Sequence, residues 1–394
     1  MGGTALDKKK AGEDAAAIAK HWPFAQRMPQ RVVVKVGSNV LALASGGLDV
    51  ARVASLCAQV GKAHAKGVEV IVVTSGAVAA GRGVLRMAQR PATLPDLQAV
   101  AAIGQGALME AYTNELRRHG LFAAQMLLTR DDMDDRRRYL NMRLTLASLL
   151  KRPVVPIINE NDVVTVDELK FGDNDMLSAM VAAKMDADLL VILSNVAGLM
   201  TGNPGKDPDA KLVPVVKKMT GEVAALAYAG QSSFGVGGMS SKLDAARHAT
   251  RFGVACVMAD GCSEGVVSRV LSGKFSGTLF LPSGTRKAGT SRKHWIGSRR
   301  ARGTITIDRG AEKALVSKRR SLLAVGVRRI DGTFGKGDVI AIANEGGDVL
   351  AQGIVNYSSE QLHVIAGQRS ENLPELLGEA TYEEVVHVDN LALA

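Results

Sequence analysis

Aromatic residues are scarce, making up only 4% of the 394 residues against 46% hydrophobic overall. A core without large rings is built from Ala, Val, Leu and Ile, which suits helices packed on a mostly parallel sheet. Cysteine is scarcer still. Cys57, Cys256 and Cys262 are too few for a disulfide framework and lack the spacing of a zinc site. That favours a reducing, cytoplasmic setting. No apolar run approaches the ~18 residues of a membrane span. Residues 1–30 lack the apolar core of a secretory signal, and Leu6 stands where a myristoylation motif needs Ser or Thr. The seven histidines are scattered, so neither a histidine metal pair nor a histidine-activated nucleophile is apparent. Acidic residues are thin in one stretch. The formal net charge is +10, and Gly284 to Ile330 carries fourteen Lys and Arg against Asp308 and Glu312. Such a block suits nucleic acid, acidic ligands or a solvated linker.

What is present is an alternation. Arg31 to Val36, Val68 to Val73, Ala123 to Leu128, Val154 to Ile158, Leu189 to Leu193 and Ala255 to Met258 read as strands. Between them lie helical patterns at Val50 to Lys66, Ala99 to His119, Arg137 to Leu150, Asn174 to Met185 and Met239 to Arg251. The expected architecture is a three-layer α/β/α sandwich on a mainly parallel sheet. The pattern changes near Pro282. Beyond Gly303 short β-like runs at 304–307, 323–327, 339–343, 348–355 and 383–386 suggest a small β-rich barrel. The boundaries expected are an extension at 1–30 with a short helix near Asp14 to Lys20, an α/β domain at 31–282, a basic linker at 283–302, the β-rich domain at 303–380 and a tail at 381–394.

Polar residues concentrate where strands meet helices. Asn159-Glu160-Asn161-Asp162 follows the Val154–Ile158 run, and Gly172-Asp173-Asn174-Asp175 opens the next helix. Ligands of α/β proteins bind at the carboxyl ends of strands. The two clusters therefore suit a polar small molecule or a metal, although Asn and Asp also favour ordinary turns and caps. Lys35 interrupts an apolar strand just before Gly37-Ser38, either aimed at a phosphate or reaching for solvent from an edge strand. Ser75 in Thr74-Ser75-Gly76-Ala77 is an anion-site residue or a plain helix cap. The run SFGVGGMSSK, Ser233 to Lys242, is a glycine-rich turn with a lysine near a helix start. Two lysines at two glycine turns, facing acids and amides, suggest phosphoryl transfer, which needs charge stabilisation and positioning above all.

The segments VVVKVGSNV, VIVVTSGAVAAGRG, QMLLTRDDMDDRRRYLN, INENDVV, FGDNDMLSA and GVGGMSSKLDAARHA follow one another in this order. Together they closely resemble the glutamate 5-kinase branch of the amino acid kinase family, over about Arg31 to Leu281. The chain from Gly303 to about Gly378 resembles a PUA domain. The resemblance implies ATP-dependent phosphorylation of the L-glutamate γ-carboxylate, the first step toward proline, with Mg²⁺ accompanying ATP. It implies catalytic roles for Lys35, Lys242 and Asp175, with Asp175 orienting the two lysines. Ser75, Asp162 and Asn174 would hold glutamate. Lys35, Ser194, Asn195, Val236, Gly237, Gly238, Met239, Ser240, Ser241 and Lys242 would face ATP. Ser194-Asn195 stands where the family has Thr-Asp or Ser-Asp, and Val236 where it has threonine, so the departures fall on the nucleotide side. The resemblance further implies a cytoplasmic homo-oligomer, dimer or tetramer, with proline as a feedback inhibitor. The alternatives are another amino acid kinase, or an RNA-binding regulatory protein using the basic linker and the PUA-like domain. Against the latter, Trp295, Phe334, Tyr357 and Tyr382 are scattered rather than grouped as a stacking platform.

Overall fold

The Val- and Ile-rich runs of the first unit are strands β1 (Arg31–Val36), β2 (Glu69–Thr74), β3 (Phe122–Leu128), β4 (Val154–Glu160), β5 (Leu189–Ser194), β6 (Val215–Val216), β7 (Ala255–Asp260) and β8 (Thr278–Phe280). The helices are α1 (Ala5–His21), α2 (Ser38–Leu41), α3 (Val50–His64), α4 (Ala77–Val84), α5 (Leu94–Arg117), α6 (Arg130–Asp134), α7 (Arg136–Leu150), α8 (Asn174–Lys184), α9 (Gly221–Tyr228), α10 (Met239–Arg251) and α11 (Val266–Leu271). The computed structural model describes residues 5–43, 46–165, 174–202, 207, 209–228, 238–283, 301–378 and 382–393. The chain divides into two compact units, Met1–Arg286 and Lys287–Ala394.

In the first unit the strand order is β3-β4-β2-β1-β5-β7-β8-β6. The pairings from β3 to β7 are parallel, and only β7 and β8 run antiparallel. Successive strand residues point to opposite faces. Val32, Val34 and Val36 of β1 therefore join one core with residues of α3, α5 and α11, whereas Val33 joins a second core with residues of α8 and α10. Two cores on opposite faces of one sheet make the expected three-layer α/β/α sandwich. The chain leaves β1 toward β2 on one side and later returns to β5 on the other. The crevice where the strand order reverses, beside the β1 end, is the place where such sheets take ligands.

The amino-terminal segment differs from the loose extension expected from its composition. Its helix runs from Ala5 to His21, and Ile18, Trp22 and Phe24 are buried in the first core. Trp22 packs edge-on to Phe24 and Phe275 at 5.4 and 5.7 Å between ring centroids.

The second unit holds a five-stranded sheet: β9 (Thr304–Ile307), β10 (Val327–Asp331), β11 (Val339–Ala343), β12 (Val349–Ile354) and β13 (Leu391–Leu393), in the order β10-β9-β11-β12-β13. It encloses its own core around Ile305, Ile342, Val355 and Leu362. The run at 383–386 makes only an isolated bridge, Leu322 to Val386, and the closing strand lies later, at Leu391–Leu393. The run at 323–327 is mostly a 3-10 turn, Ala324–Gly326, with the strand beginning at Val327. Phe334 and Tyr357 are buried in this core, so neither is available to stack on a base.

Candidate active site

Lys35 is 1% exposed, on a strand flanked by β2 and β5. It cannot be an edge lysine reaching for solvent. Its side chain points to the same face as Val33, toward α8. There its Nζ lies 2.6 Å from Asp175 Oδ1. Lys242, in the first turn of α10, lies 3.2 Å from Asp175 Oδ2, and the Ser241 hydroxyl donates to the same oxygen at 3.0 Å. Asp175 is fully buried. Its two oxygens each engage one lysine, and the trio carries one net positive charge. Breaking a buried ion pair on one side is strongly unfavourable, so the carboxylate fixes both ammonium positions. The glycine after Lys35 permits the approach. The Gly37 N–H donates to Leu193 O at 3.0 Å, and a Cβ there would lie 3.3 Å from that oxygen.

Ser75, Asp162 and Asn174 line one cavity of about 260 Å³. That is near the lower end of ligand sites, roughly 300–1,000 Å³, and suits a small metabolite. Ser75 is not the helix cap. Gly76 takes that place with φ at +102°, a left-handed conformation that glycine adopts without strain. The Ser75 hydroxyl instead accepts a hydrogen bond from Asn174 Nδ2 at 2.9 Å, leaving its own proton to donate. Asn174 Nδ2 also faces Thr74 O at 2.9 Å and Asn159 Oδ1 at 3.0 Å. Three acceptors around the amide nitrogen set the amide's orientation. Its buried Oδ1 has no hydrogen-bond partner among the described residues.

This network contains residues that the sequence did not single out. Asn159 Nδ2 donates to Gln105 Oε1 at 2.8 Å, tying β4 to α5. Asn159 was visible as the first member of the polar cluster, but Gln105 is an unremarkable helix residue in the sequence. Arg82 and Arg90 also border the cavity. Asp162 sits half-buried in the turn after β4, while Gly172 and Asp173 lie outside the described residues.

On the nucleotide side, Ser194 is buried at the end of β5, its Oγ accepting from the Val196 N–H at 3.2 Å, and Asn195 is exposed. Gly238 precedes α10, and that helix has no side-chain cap among the described residues. Its first N–H groups are an intrinsic anion site. Met239 and Ser240 follow in the first turn, half-buried. Val236 and Gly237 lie outside the described residues. The structure thus brings Lys35, Asp175, Ser241 and Lys242 together, and separately Ser75, Asp162 and Asn174. The adjacency of Asn174 and Asp175 joins the two groups.

Residues 30–260 match the sequence model of the amino acid kinase family, and residues 303–377 match that of the PUA domain. Among its relatives is a glutamate 5-kinase of Trichlorobacter lovleyi, 46% identical over 92% of this chain and 96% of that protein. A glutamate 5-kinase of Myxococcus xanthus is 45% identical over 94% of this chain and 97% of that protein. One from Moorella thermoacetica is 44% identical over 92% and 96%.

Proposed function

The chain belongs to the glutamate 5-kinase branch of the amino acid kinase family, and from that membership we infer the chemistry of the site: ATP phosphorylates the γ-carboxylate of L-glutamate to give L-glutamyl 5-phosphate. The observation that supports the residue roles best is the Lys35–Asp175–Lys242 trio beside the cavity of Ser75, Asp162 and Asn174.

A glutamate γ-carboxylate, with an ordinary pKa near ~4.3, is ionised at neutral pH and needs no general base. The difficulty is the approach of one anion to another. We propose that Lys35 and Lys242 offset that repulsion, each held in place by one oxygen of Asp175. A carboxylate oxygen attacks the γ-phosphorus of ATP, the bond to the β-phosphate oxygen breaks, and ADP leaves. Lys242 stands at the start of α10, where it and the first N–H groups of that helix suit the departing phosphate. Ser75, Asp162 and Asn174 hold the amino acid. Ser194, Asn195 and residues 238–241 face the nucleotide, and the family resemblance assigns Val236 and Gly237 to it as well. Neither Asn195 nor Val236 belongs to the trio, so both changes bear on ATP affinity rather than on the phosphoryl step.

Mg²⁺ fits this arrangement as part of the nucleotide substrate. Both oxygens of Asp175 already engage lysines, and no group of three or more His, Cys, Asp or Glu residues among the described residues could hold a metal. The ion would neutralise phosphate charge on ATP itself. The finer properties of the family come to this chain as proposals: proline inhibition, a cytoplasmic dimer or tetramer, and RNA contact through the second unit. The last is supported by the basic stretch of the sequence rather than by the cavity of about 750 Å³ in that unit, where Arg319, Arg320 and Arg328 are matched by Asp308, Glu383 and Glu384. Loss of filter-bound RNA with rising salt would be its signature.

The deciding experiment is a hydroxamate assay with purified protein, ATP, Mg²⁺, hydroxylamine and a panel of acidic substrates. Glutamate-dependent hydroxamate is expected, with aspartate and N-acetylglutamate far weaker. No product from glutamate would overturn the assignment.

A further inference from the structure

Two guanidinium groups border the same cavity as Ser75, Asp162 and Asn174, and phosphoryl transfer as described leaves them unused. Arg82 lies near the end of α4. Its Nη2 donates to the carbonyl of Ala88 at 2.6 Å, which pins the guanidinium against the turn after the helix. Its Nε is buried and has no hydrogen-bond partner among the described residues. Arg90 is exposed, on the connection from α4 to α5. The same cavity is bordered by two acceptors: the Asp162 carboxylate, and Asn174, whose buried Oδ1 has no hydrogen-bond partner among the described residues.

A cavity bordered by both cations and acceptors is matched to a zwitterion. An orphaned buried acceptor beside a carboxylate asks for an ammonium donor. Guanidinium groups ask for a carboxylate, which they bind with paired N–H donors. An α-amino acid carries both groups on one carbon. We propose that Arg90, backed by Arg82, binds the α-carboxylate of the substrate, while Asn174 Oδ1 and Asp162 take its α-ammonium. This rests on the glutamate-phosphorylating reading and adds to it the residues that select the γ-carboxylate. Glutamate offers two ionised carboxylates of similar nucleophilicity. Binding the α-carboxylate to the arginines withholds it from the phosphoryl group, and only the γ-carboxylate is left to reach Lys35. Arg90 is in this sense the residue that selects which carboxylate reacts.

The test compares glutamate with isoglutamine, which keeps the α-ammonium and γ-carboxylate but has a neutral α-carboxamide. Initial rates of hydroxamate formation give kcat/KM for each, in the wild type, Arg90→Gln, Arg90→Lys and Arg82→Lys. A hydrogen-bonded charge contact sets the scale, so the wild type should prefer glutamate by at least roughly tenfold. Arg90→Gln should raise the glutamate KM about tenfold while leaving the ATP KM and the isoglutamine kinetics unchanged, so the preference collapses. Arg90→Lys should recover part of it. Arg82→Lys keeps the charge but removes Nε, and should lower the preference less than Arg90→Gln does. Equal use of both substrates by the wild type overturns the proposal. So does a preference that survives both Arg90→Gln and Arg82→Lys. Absence of any glutamate-dependent product in the wild type overturns the kinase reading itself, and this proposal with it, so the two failures are distinguishable.

Discussion

At the scale of single residues, the site depends on one carboxylate between two lysines. Asp175 is fully buried and Lys35 nearly so, in an interior where an unpaired charge is unfavourable by several kcal/mol. Lys242 is the member that reaches the nucleotide side, at the start of α10. Lys242→Met should therefore lower kcat by about a hundredfold or more, the scale of losing one transition-state charge contact, with little change in glutamate KM. Steady-state kinetics with glutamate as the varied substrate measures this, and a variant that instead lost only glutamate affinity would refute it. The cysteines do no comparable work. Burial, with a smaller push from nearby Glu115, raises the Cys57 thiol to about 12. Burial also pushes Cys256 far up, with Asp175 contributing, so both are inert hydrophobes at neutral pH.

At the scale of elements, the contact between α4 and α5 positions the cavity wall. A Cβ built at Gly104 would lie 1.8 Å from Ala77 O and 2.2 Å from Gly81 N, and one at Gly81 would lie 2.0 Å from Val100 O. These helices meet backbone to backbone. Because α4 begins beside Ser75 and Gly76, moving it moves the cavity. Gly104→Ala should lower the melting temperature and raise the glutamate KM together. Gly106→Ala is the control, since a Cβ there meets nothing within 4 Å. That change should leave KM alone and stabilise by about 0.4–1 kcal/mol. A melt and a glutamate titration of the two variants, side by side, check the pair. Helix α10 supplies a pH effect. Burial, then the charges of Lys184 and Arg251, lowers the His248 pKa below its ordinary 6.5. Between the lowered value and 6.5 the unfolded chain binds the extra proton, so the contribution is present above pH 6.5 and is lost as pH falls through the folded value. The melting temperature should decline from pH 7.5 to 5.5, and less so in His248→Gln. Asp132 does not interfere. Burial alone would raise it, but hydrogen bonds from Thr129 and Arg138 outweigh that and hold it below 3.8, ionised throughout this range.

At the scale of the whole molecule, each compact unit has its own core, and every described residue of the candidate site lies in the first. The family match begins at residue 30, yet Ile18, Trp22 and Phe24 belong to the first core. Gly273 accommodates the indole, since a Cβ there would lie 2.7 Å from the Trp22 ring. Trp22→Ala should thus destabilise the first unit by about 3–5 kcal/mol, the usual range for a large buried ring. Its kcat at low temperature should match the wild type, because the ring contacts of Trp22 are with Phe24 and Phe275, neither of them a candidate site residue. Chemical denaturation followed by the assay at 15–20 °C, a range of about that order chosen to keep the variant folded, tests both halves.

The alternation of apolar runs and helical patterns was enough to specify a parallel sheet covered on both faces. Strand periodicity and helix periodicity are local, and a chain of short β-branched runs has few other ways to bury them. Lys35, Ser75, Asp162, Asn174, Asp175 and Lys242 stood out as polar residues in an apolar strand, in polar clusters or at glycine turns, but the residue pattern left their roles open and only the family resemblance assigned them. Local pattern could not say which way each side chain turns or what it meets. Whether Lys35 snorkels or is buried depends on β1 being central, and that depends on β5, more than 150 residues away in sequence. Whether Ser75 caps a helix or joins an amide network depends on Asn174, 99 residues on. Arg82 and Arg90 at the cavity, and Gln105 behind it on Asn159, were not singled out as site residues, since only the packing of α4, α5 and β4 brings them there. The amino-terminal segment was misread for the same reason. Its composition gives no sign of a partner, and Phe275 and Gly273, which receive Trp22, lie some 250 residues later. The sequence by itself determined the layers and the chemistry available at the strand ends. Tertiary structure decided which of those groups share a charge, a hydrogen bond or a cavity, because these are contacts between residues that local periodicity never relates.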